Sequence, residues 1–94
     1  MKPHLHKTLN LKAQDAVAVY LDEMAYVFFA DDDNYQKYLN EQTYDYYGTI
    51  VEESPFYLAP PEPGVWNLVI EQKDPEKSLD VKIEIIKEES FSQE

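Results

Sequence analysis

Apolar and polar residues alternate along several short segments of this chain, and this alternation constrains its fold more than any other feature. The clearest example is segment 79–87, where apolar and polar residues take alternate places: Leu79, Val81, Ile83 and Ile85 against Asp80, Lys82 and Glu84. Successive side chains of a β-strand point to opposite faces, so this pattern predicts one buried and one exposed face. The predicted strands are His4–Leu11, Ala16–Leu21, Ala25–Ala30, Thr43–Val51, Phe56–Ala59, Val65–Glu71 and Leu79–Lys87.

These strands predict a mainly β fold, a small β-sandwich of about seven to eight mostly antiparallel strands. Ala25–Ala30 is apolar on both faces, which indicates a central strand. Acidic residues precede Tyr35 and Tyr38, which have helical spacing, so we expect one short helix near residues 33–40 with an aspartate cap. The last two strands are predicted to be joined by a hairpin loop at Lys73–Lys77. Residues 1–87 would form one domain and 88–94 a polar tail.

The charge of the chain restricts its partners. It has a formal net charge of −11 at pH 7, and all eight of its basic residues are lysines. Proteins that bind nucleic acids neutralise phosphates with cations and read base edges mainly with arginine. Direct binding to nucleic acid or to an anionic membrane is therefore not expected. The acidity favours a protein partner with a basic or mixed surface, or mimicry of a nucleic acid, besides its effect on solubility.

The chain contains no cysteine, which excludes disulfides and cysteine-based metal sites. It also contains no apolar segment of the roughly 20 residues that a membrane-spanning helix needs. A small domain without disulfides and without an apolar leader is expected in the cytoplasm.

Several short motifs occur in an order that resembles a small bacterial family of domains of unknown function, whose members occur alone or fused to TIR signalling domains. The motifs are His6 with Leu9 and Leu11, Ala13-Gln14-Asp15 before Val17 and Val19, Asp32-Asp33-Asn34-Tyr35 with Tyr38, Tyr46-Tyr47-Gly48, Ser54-Pro55, and Pro63-Gly64-Val65-Trp66-Asn67-Leu68-Val69-Ile70. The resemblance covers about residues 1–87. It implies a compact β-sandwich of bacterial or phage origin with a link to TIR-associated defence, and it implies no reaction.

Candidate metal and catalytic sites are incomplete. His4 and His6 fall on one face of the first predicted strand, but a zinc site usually has three or four protein ligands. The acidic run at 31–34 lacks the glycine and glutamate of a calcium-binding loop, because Gln36 and Gln42 occupy those positions. Neither histidine lies in a nucleophile or base motif. We therefore predict no enzyme activity, no cofactor and no metal.

The most distinctive candidate site is a cluster of tyrosines and aspartates between residues 31 and 47. Tyrosine contributes a large contact area with little entropy to lose, so it is enriched at interfaces. The interface candidates are Tyr35, Tyr38, Tyr44, Tyr46, Tyr47, Asp31, Asp32, Asp33 and Asp45. The alternating positions 44, 46, 48 and 50 place Tyr44, Tyr46, Gly48 and Ile50 on one side. Some of the tyrosines are expected to be core residues with satisfied hydroxyls.

Three functions fit these observations. The leading one is a non-enzymatic protein-interaction domain, with an expected link to bacterial or phage defence or counter-defence. The alternative is an acidic inhibitor that mimics a nucleic acid, with Asp80, Glu84 and Glu71 as an outward row. The third is a small-ligand-binding module that uses the tyrosines. An open edge strand would also offer a route to a homodimer.

Overall fold

The structure is a computed structural model that describes residues 4–74, 76 and 79–87. The predicted tail 88–94 lies outside these residues. Within them the chain forms seven strands and one helix. In chain order these are β1 (Leu5–Leu11), β2 (Ala16–Leu21), β3 (Ala25–Ala30), α1 (Asp32–Leu39), β4 (Tyr47–Val51), β5 (Phe56–Leu58), β6 (Gly64–Gln72) and β7 (Val81–Ile86).

The strands form two sheets. One has the order β1-β6-β3-β4 and the other has the order β5-β2-β7, and every pairing is antiparallel. The predicted mainly β, sandwich-like fold with one short helix is therefore confirmed. The alternation located β2 and β3 at their observed bounds, and β3 lies between β6 and β4, as its two apolar faces predict.

The connection between β6 and β7 is not the predicted hairpin. β6 pairs with β1 and β3 in the four-stranded sheet, whereas β7 pairs with β2 in the three-stranded sheet. The chain thus crosses from one sheet to the other between these strands. The prediction failed because alternation identifies which face of a strand is buried but not which strand lies beside it.

The same crossing removes the acidic row that the sequence suggested. Glu71 lies on β6 and Glu84 on β7, so the two carboxylates belong to different sheets. Asp80 precedes β7, and its backbone N–H donates to Asp22 Oδ1 at 2.8 Å. The three residues therefore do not form a continuous line on one face.

The main core lies between the two sheets. β2 contributes Val17 and Val19, and β3 contributes Val27 and Phe29. β6 contributes the alternate residues Trp66, Leu68 and Ile70. Val17, Val19, Val27 and Phe29 have no exposed surface. Burying each such side chain stabilises the fold by about 1.5–3 kcal/mol, so this layer holds the sheets together. Trp66 is also buried here, and its indole N–H donates to the Glu62 carbonyl at 2.9 Å.

A second, smaller core covers the outer face of the four-stranded sheet. Here the alternate residues of β3 and β6, Phe28 and Val69, pack against Tyr35 and Tyr38 of α1. This layer explains why β3 is apolar on both faces, because one face meets the other sheet and the opposite face meets the helix. The outer face also carries the candidate site.

Residues 43–46 do not extend β4, although the sequence pattern predicted a strand from Thr43. The backbone N–H of Asp45 donates to Asn34 Oδ1 on α1 at 2.8 Å. Tyr44 packs against Phe28 and Tyr38 of the smaller core. These contacts hold the segment to the helix, and the pairing of β4 with β3 begins at Tyr47.

Candidate binding site

Helix α1 is held on the sheet by its cap and by two tyrosines. The Asp31 carboxylate accepts from the Asn34 backbone N–H at 2.8 Å, which is the aspartate cap that the sequence predicted. Asp32 and Asp33 follow in the first turn, where negative charge is favourable beside the helix dipole. Tyr35 and Tyr38, three residues apart, share one face of the helix and are buried against the sheet.

Asn67 anchors the start of the helix from beneath. It is buried on β6, and its Nδ2 donates to the Ala30 carbonyl at 3.1 Å and to Asp32 Oδ1 at 2.8 Å. Its Oδ1 accepts from His6 Nε2 at 2.7 Å. One amide therefore joins β1, the end of β3 and the first turn of α1, so this polar group is satisfied despite its burial.

The two histidines belong to this helix-anchoring region. The His6 ring stacks on Tyr35 with centroids 4.1 Å apart, and the His4 Nε2 and the Tyr35 hydroxyl share a hydrogen bond of 3.0 Å. Both histidines thus lie on one face, as the strand prediction required, and both contact the same tyrosine. The described residues contain no group of three or more His, Asp or Glu side chains arranged to hold a metal ion.

Tyr38 connects the helix to the carboxylate of β6. Its hydroxyl donates to Glu71 Oε1 at 2.8 Å. Burial, followed by the hydrogen bond to Glu71 and the charge of that carboxylate, raises the pKa of Tyr38 far above the ordinary value for tyrosine. Tyr38 therefore remains a neutral hydrogen-bond donor at any physiological pH and holds the Glu71 carboxylate in place.

Beside this pair, the outer face of the sheet contains a pocket of about 410 Å³. This volume falls within the range of roughly 300–1,000 Å³ that is typical of ligand sites. Three tyrosines, one phenylalanine, one carboxylate and the start of β4 form its walls: Tyr26, Phe28, Tyr44, Tyr46, Gly48, Thr49, Ile50 and Glu71. The strand register places Tyr26 opposite both Glu71 and Ile50.

The aromatic rings of the pocket support one another. Phe28 lies 5.5 Å from Tyr46 and 5.9 Å from Tyr44, and these two tyrosines are 5.5 Å apart, all measured between ring centroids. Such spacings are typical of favourable aromatic pairs. Tyr46 is 53% exposed, whereas Tyr44 is half-buried, so the group passes from the core to the mouth of the pocket.

Glycine at position 48 is required by the close approach of β4 to β3. A Cβ atom there would lie 2.1 Å from the Val27 carbonyl oxygen and 2.5 Å from the Phe28 Cα. Neither backbone atom can move without separating the two strands. The absence of a side chain at Gly48 therefore permits the pairing and leaves the pocket floor unfilled.

The pocket has one negative and one positive side chain beside its aromatic rings. Glu71 is the carboxylate in the pocket wall. Burial, and then the negative charge of Glu71, raise the pKa of Tyr44. Lys73 lies over the Tyr26 ring with its ammonium 5.6 Å from the centroid, which is within the range of a cation–π contact. The pocket is therefore bordered by π faces and a carboxylate, a combination that attracts cations.

Comparison with known proteins identifies the family. A family model described as "Domain of unknown function (DUF1883)" matches residues 2–89. The chain belongs to the DUF1883 family. No match was found among curated proteins or among solved structures. The match agrees with the resemblance to a family of domains of unknown function, while the association of DUF1883 with TIR domains stays a prediction. Among the described residues of this DUF1883 chain, no helix is long and apolar enough to span a bilayer.

The structure of this DUF1883 chain divides the predicted tyrosine cluster. Tyr35 and Tyr38 are buried beneath the helix, and Tyr44 and Tyr46 line the pocket. Tyr47 is 48% exposed and lies near Trp66 with centroids 5.7 Å apart, on the opposite side of β4 from Tyr46. Positions 44, 46, 48 and 50, which the sequence pattern predicted on one side, all line the pocket, and Thr49 lines it as well.

Two of the predicted aspartates form hydrogen bonds at the start of the helix, and the other two lie on the surface. Asp31 caps α1, Asp32 accepts from Asn67, and Asp33 is exposed in the first turn. Asp45 is exposed, and its backbone is bonded to Asn34. Their carboxylates are not in the pocket wall, so their role as binding residues stays a prediction.

Sequence reasoning missed Glu71 and Tyr26 as pocket residues, and Asn67 as the anchor of the helix. The sequence pattern predicts Glu71 in an outward row, because alternation alone does not show what covers a face. One signal was present: Asn67, Val69 and Glu71 alternate along β6, which places them on one side. Their contacts depend on the helix α1, which packs over that side of the sheet.

Proposed function

We propose that this domain is a non-enzymatic protein-interaction module that contacts a partner with a basic or mixed surface through the pocket and its rim. The observation that carries the proposal is the position of Tyr46. This side chain is 53% exposed at the mouth of a 410 Å³ pocket whose wall contains the Glu71 carboxylate. Large aromatic side chains are enriched at the centres of protein interfaces.

The tyrosines offer a rigid contact surface. Tyr46 and Tyr44 pack against Phe28, whose own position is held in the smaller core. Because packing already restricts Tyr44 and Tyr46, these side chains would lose little conformational entropy when a partner covers them. Preorganisation of this kind raises affinity without additional contacts.

The overall charge supports a basic partner. A net charge of −11 on 94 residues attracts a positively charged surface over a distance of about 8–10 Å at physiological salt. Complementary charge mainly accelerates association and excludes partners of the same sign. It also disfavours the homodimer that an open edge would otherwise allow, because two copies repel each other.

The strand beside the pocket adds a second means of contact. Among the described strands, β4 pairs with β3 alone, so it lies at the edge of the four-stranded sheet. An edge strand presents backbone hydrogen-bonding groups that an extended partner segment can pair with. A segment that paired with β4 would lie next to Tyr46.

The more specific parts of the proposal rest on sequence alone. The expected link to bacterial or phage defence comes from the resemblance to domains fused to TIR, and the expected cytoplasmic location comes from the lack of cysteine. The absence of a recognisable nucleophile and base motif supports a binding role over catalysis.

Affinity capture with matched variants tests this proposal. The wild-type domain, Tyr46→Ala and Tyr57→Ala would be immobilised and exposed to lysate of the source cell, and bound proteins would be quantified by mass spectrometry. Tyr57 is the control, because it is 58% exposed but lies on β5 of the other sheet. We expect a basic protein that is retained by the wild type and by Tyr57→Ala and is lost by Tyr46→Ala. Equal retention by both variants would contradict the proposed surface.

A further inference from the structure

We infer that the pocket on the outer face is a receptor for a guanidinium group, the side chain of an arginine presented by the partner protein. This inference rests on the proposed function and specifies the chemistry by which the partner is recognised. The observations behind it are the aromatic walls of the pocket, its carboxylate and the lysine ammonium already present on the same surface.

The aromatic walls suit a flat cation. Tyr26, Tyr44 and Tyr46 line the same cavity together with Phe28. The face of an aromatic ring carries negative partial charge and attracts a cation within about 6 Å of the centroid. A guanidinium is planar and weakly hydrated, so it can stack on such a ring more easily than a compact ammonium can. The aromatic walls therefore favour the side chain of arginine over that of lysine.

The Glu71 carboxylate supplies the complementary charge. It lies in the pocket wall, and the Tyr38 hydroxyl holds it from the helix side at 2.8 Å. A carboxylate can accept several hydrogen bonds at once, and a guanidinium donates two of them in parallel. A guanidinium that stacks on one of the tyrosine rings of the pocket would therefore also be able to bond to Glu71. An anionic ligand would be repelled by the same group.

The chain itself already places a cation on this surface. The Lys73 ammonium lies 5.6 Å from the centre of the Tyr26 ring, and Tyr26 is a wall of the pocket. A similar contact occurs on the other sheet, where Lys82 lies 5.5 Å from the centre of Tyr20. Positive charge is thus accommodated beside these rings. An incoming guanidinium would bind near Lys73, and repulsion from this ammonium would lower its affinity. The site therefore favours a cation that also bonds to the Glu71 carboxylate.

Short capped peptides test the inference without any need to know the partner. Three tripeptides with one central residue, arginine, lysine or citrulline, would be titrated into the isotope-labelled domain and followed by NMR. Citrulline has almost the shape of arginine but no charge. We expect the arginine peptide to bind with a Kd of about 1 mM, and to shift the backbone amide signals of Gly48 and Thr49. The lysine peptide should bind several-fold more weakly, and the citrulline peptide about tenfold more weakly or worse.

Two matched variants assign the site. Glu71→Gln removes the charge but keeps an acceptor for Tyr38, and it should weaken the arginine peptide about tenfold. Glu84→Gln makes the same chemical change at an exposed position of β7 and should leave the affinity unchanged. Equal binding of the arginine and citrulline peptides, or equal effects of the two variants, would overturn the inference. Binding of a neutral sugar with the same amide shifts and no response to arginine would overturn it as well.

The comparison of the peptides needs only the wild-type protein, so it decides the inference even if Glu71→Gln does not fold. Failure here is also distinguishable from failure of the proposed function. If no arginine peptide binds, yet Tyr46→Ala still loses a protein that Tyr57→Ala retains, the interface stands and the guanidinium receptor is wrong. If Tyr46→Ala retains every protein, but the arginine peptide binds and its binding depends on Glu71, the guanidinium receptor stands and the proposed interface is wrong.

Discussion

The hydroxyl of Tyr38 donates a 2.8 Å hydrogen bond to the carboxylate of Glu71, which joins the helix to the strand β6 across 33 positions of the sequence. This contact is at once part of the smaller core and part of the pocket. Its tyrosine is buried beneath the helix, and its carboxylate lies in the wall of the cavity. The stability of the outer layer and the electrostatics of the candidate site therefore depend on the same pair.

Removal of the Tyr38 hydroxyl should destabilise the domain and weaken the site together. Tyr38→Phe keeps the packing of the ring but leaves Glu71 without this donor. A hydrogen bond to a charged group contributes about 1.5–3 kcal/mol when buried, and Glu71 is only half-buried. We expect the free energy of unfolding in urea to fall by about 1–2 kcal/mol. Tyr20→Phe is the control, because it removes an exposed hydrogen bond to Glu84 and should change stability little.

Stability should decrease in alkaline solution because the buried tyrosines resist ionisation. Burial is the first cause that raises the pKa of Tyr38, Tyr44 and Tyr35 in the folded state, while in the unfolded chain these phenols ionise near pH 10. Above that pH the unfolded state binds fewer protons than the folded state. The stability that these groups contribute is thus fully present below about pH 10 and is lost as the pH rises towards their folded-state pKa values.

The measurement is urea unfolding at a series of pH values on both sides of pH 10. The free energy of unfolding should fall by about 1.4 kcal/mol per pH unit for each tyrosine that remains protonated in the folded state alone. Tyr38→Phe should make this slope shallower. A slope that is the same in the variant and in the wild type would contradict the role assigned to Tyr38.

Asn67 should contribute more to stability than other polar residues of the outer face. Its amide bonds to His6, the Ala30 carbonyl and Asp32, and Asn67→Ala would remove all three contacts from a buried position of β6. We expect a loss of about 2–3 kcal/mol in the free energy of unfolding, measured by urea denaturation. Asn10→Ala, at an exposed position of the neighbouring strand, is the matched control. Similar losses in both variants would show that the amide network is not stabilising.

A methyl group at position 48 should open the edge of the four-stranded sheet. In Gly48→Ala the new Cβ would collide with the Val27 carbonyl oxygen, so β4 would have to move away from β3. We expect a loss of about 3 kcal/mol or more, together with faster hydrogen exchange in β3 and β4. Thr49→Ala changes the adjacent exposed residue and should have a small effect. Slow exchange in the Gly48→Ala variant would contradict the close approach.

Lys73 should limit the affinity of the pocket for cations. Lys73→Gln removes the ammonium that lies over Tyr26, and an incoming guanidinium would then meet less repulsion. We expect the arginine peptide to bind about two- to threefold more tightly to this variant in low salt, with the difference reduced as salt is added. Lys82→Gln, which removes a comparable contact from the other sheet, should leave the affinity unchanged.

Much of the fold was predictable because it depends on local pattern. Alternation located β2 and β3 at their observed ends, and the acidic residues before Tyr35 predicted a capped helix within one or two residues of its observed start. Alternation also predicted one side for Gly48 and Ile50, which lie two residues apart on β4 and both line the pocket. Each of these predictions needs only the geometry of a strand or of a helix turn.

The neighbours of each strand were decided by tertiary structure. β6 and β7 follow one another in the chain and each has an apolar face, yet they lie in opposite sheets and cover one core. Alternation is satisfied equally by a hairpin and by this crossing. The choice between them depends on how all seven strands fill the space between the sheets.

The candidate site divides in the same way. The sequence by itself determined that tyrosines and acidic residues lie close together along the chain at positions 31–47. Only the tertiary structure brought Glu71 and Tyr26 to those tyrosines and buried Tyr35 and Tyr38 beneath the helix. The physical reason is that alternation specifies the side of a strand on which a residue lies, whereas the contacts of that side depend on which distant segment packs against it.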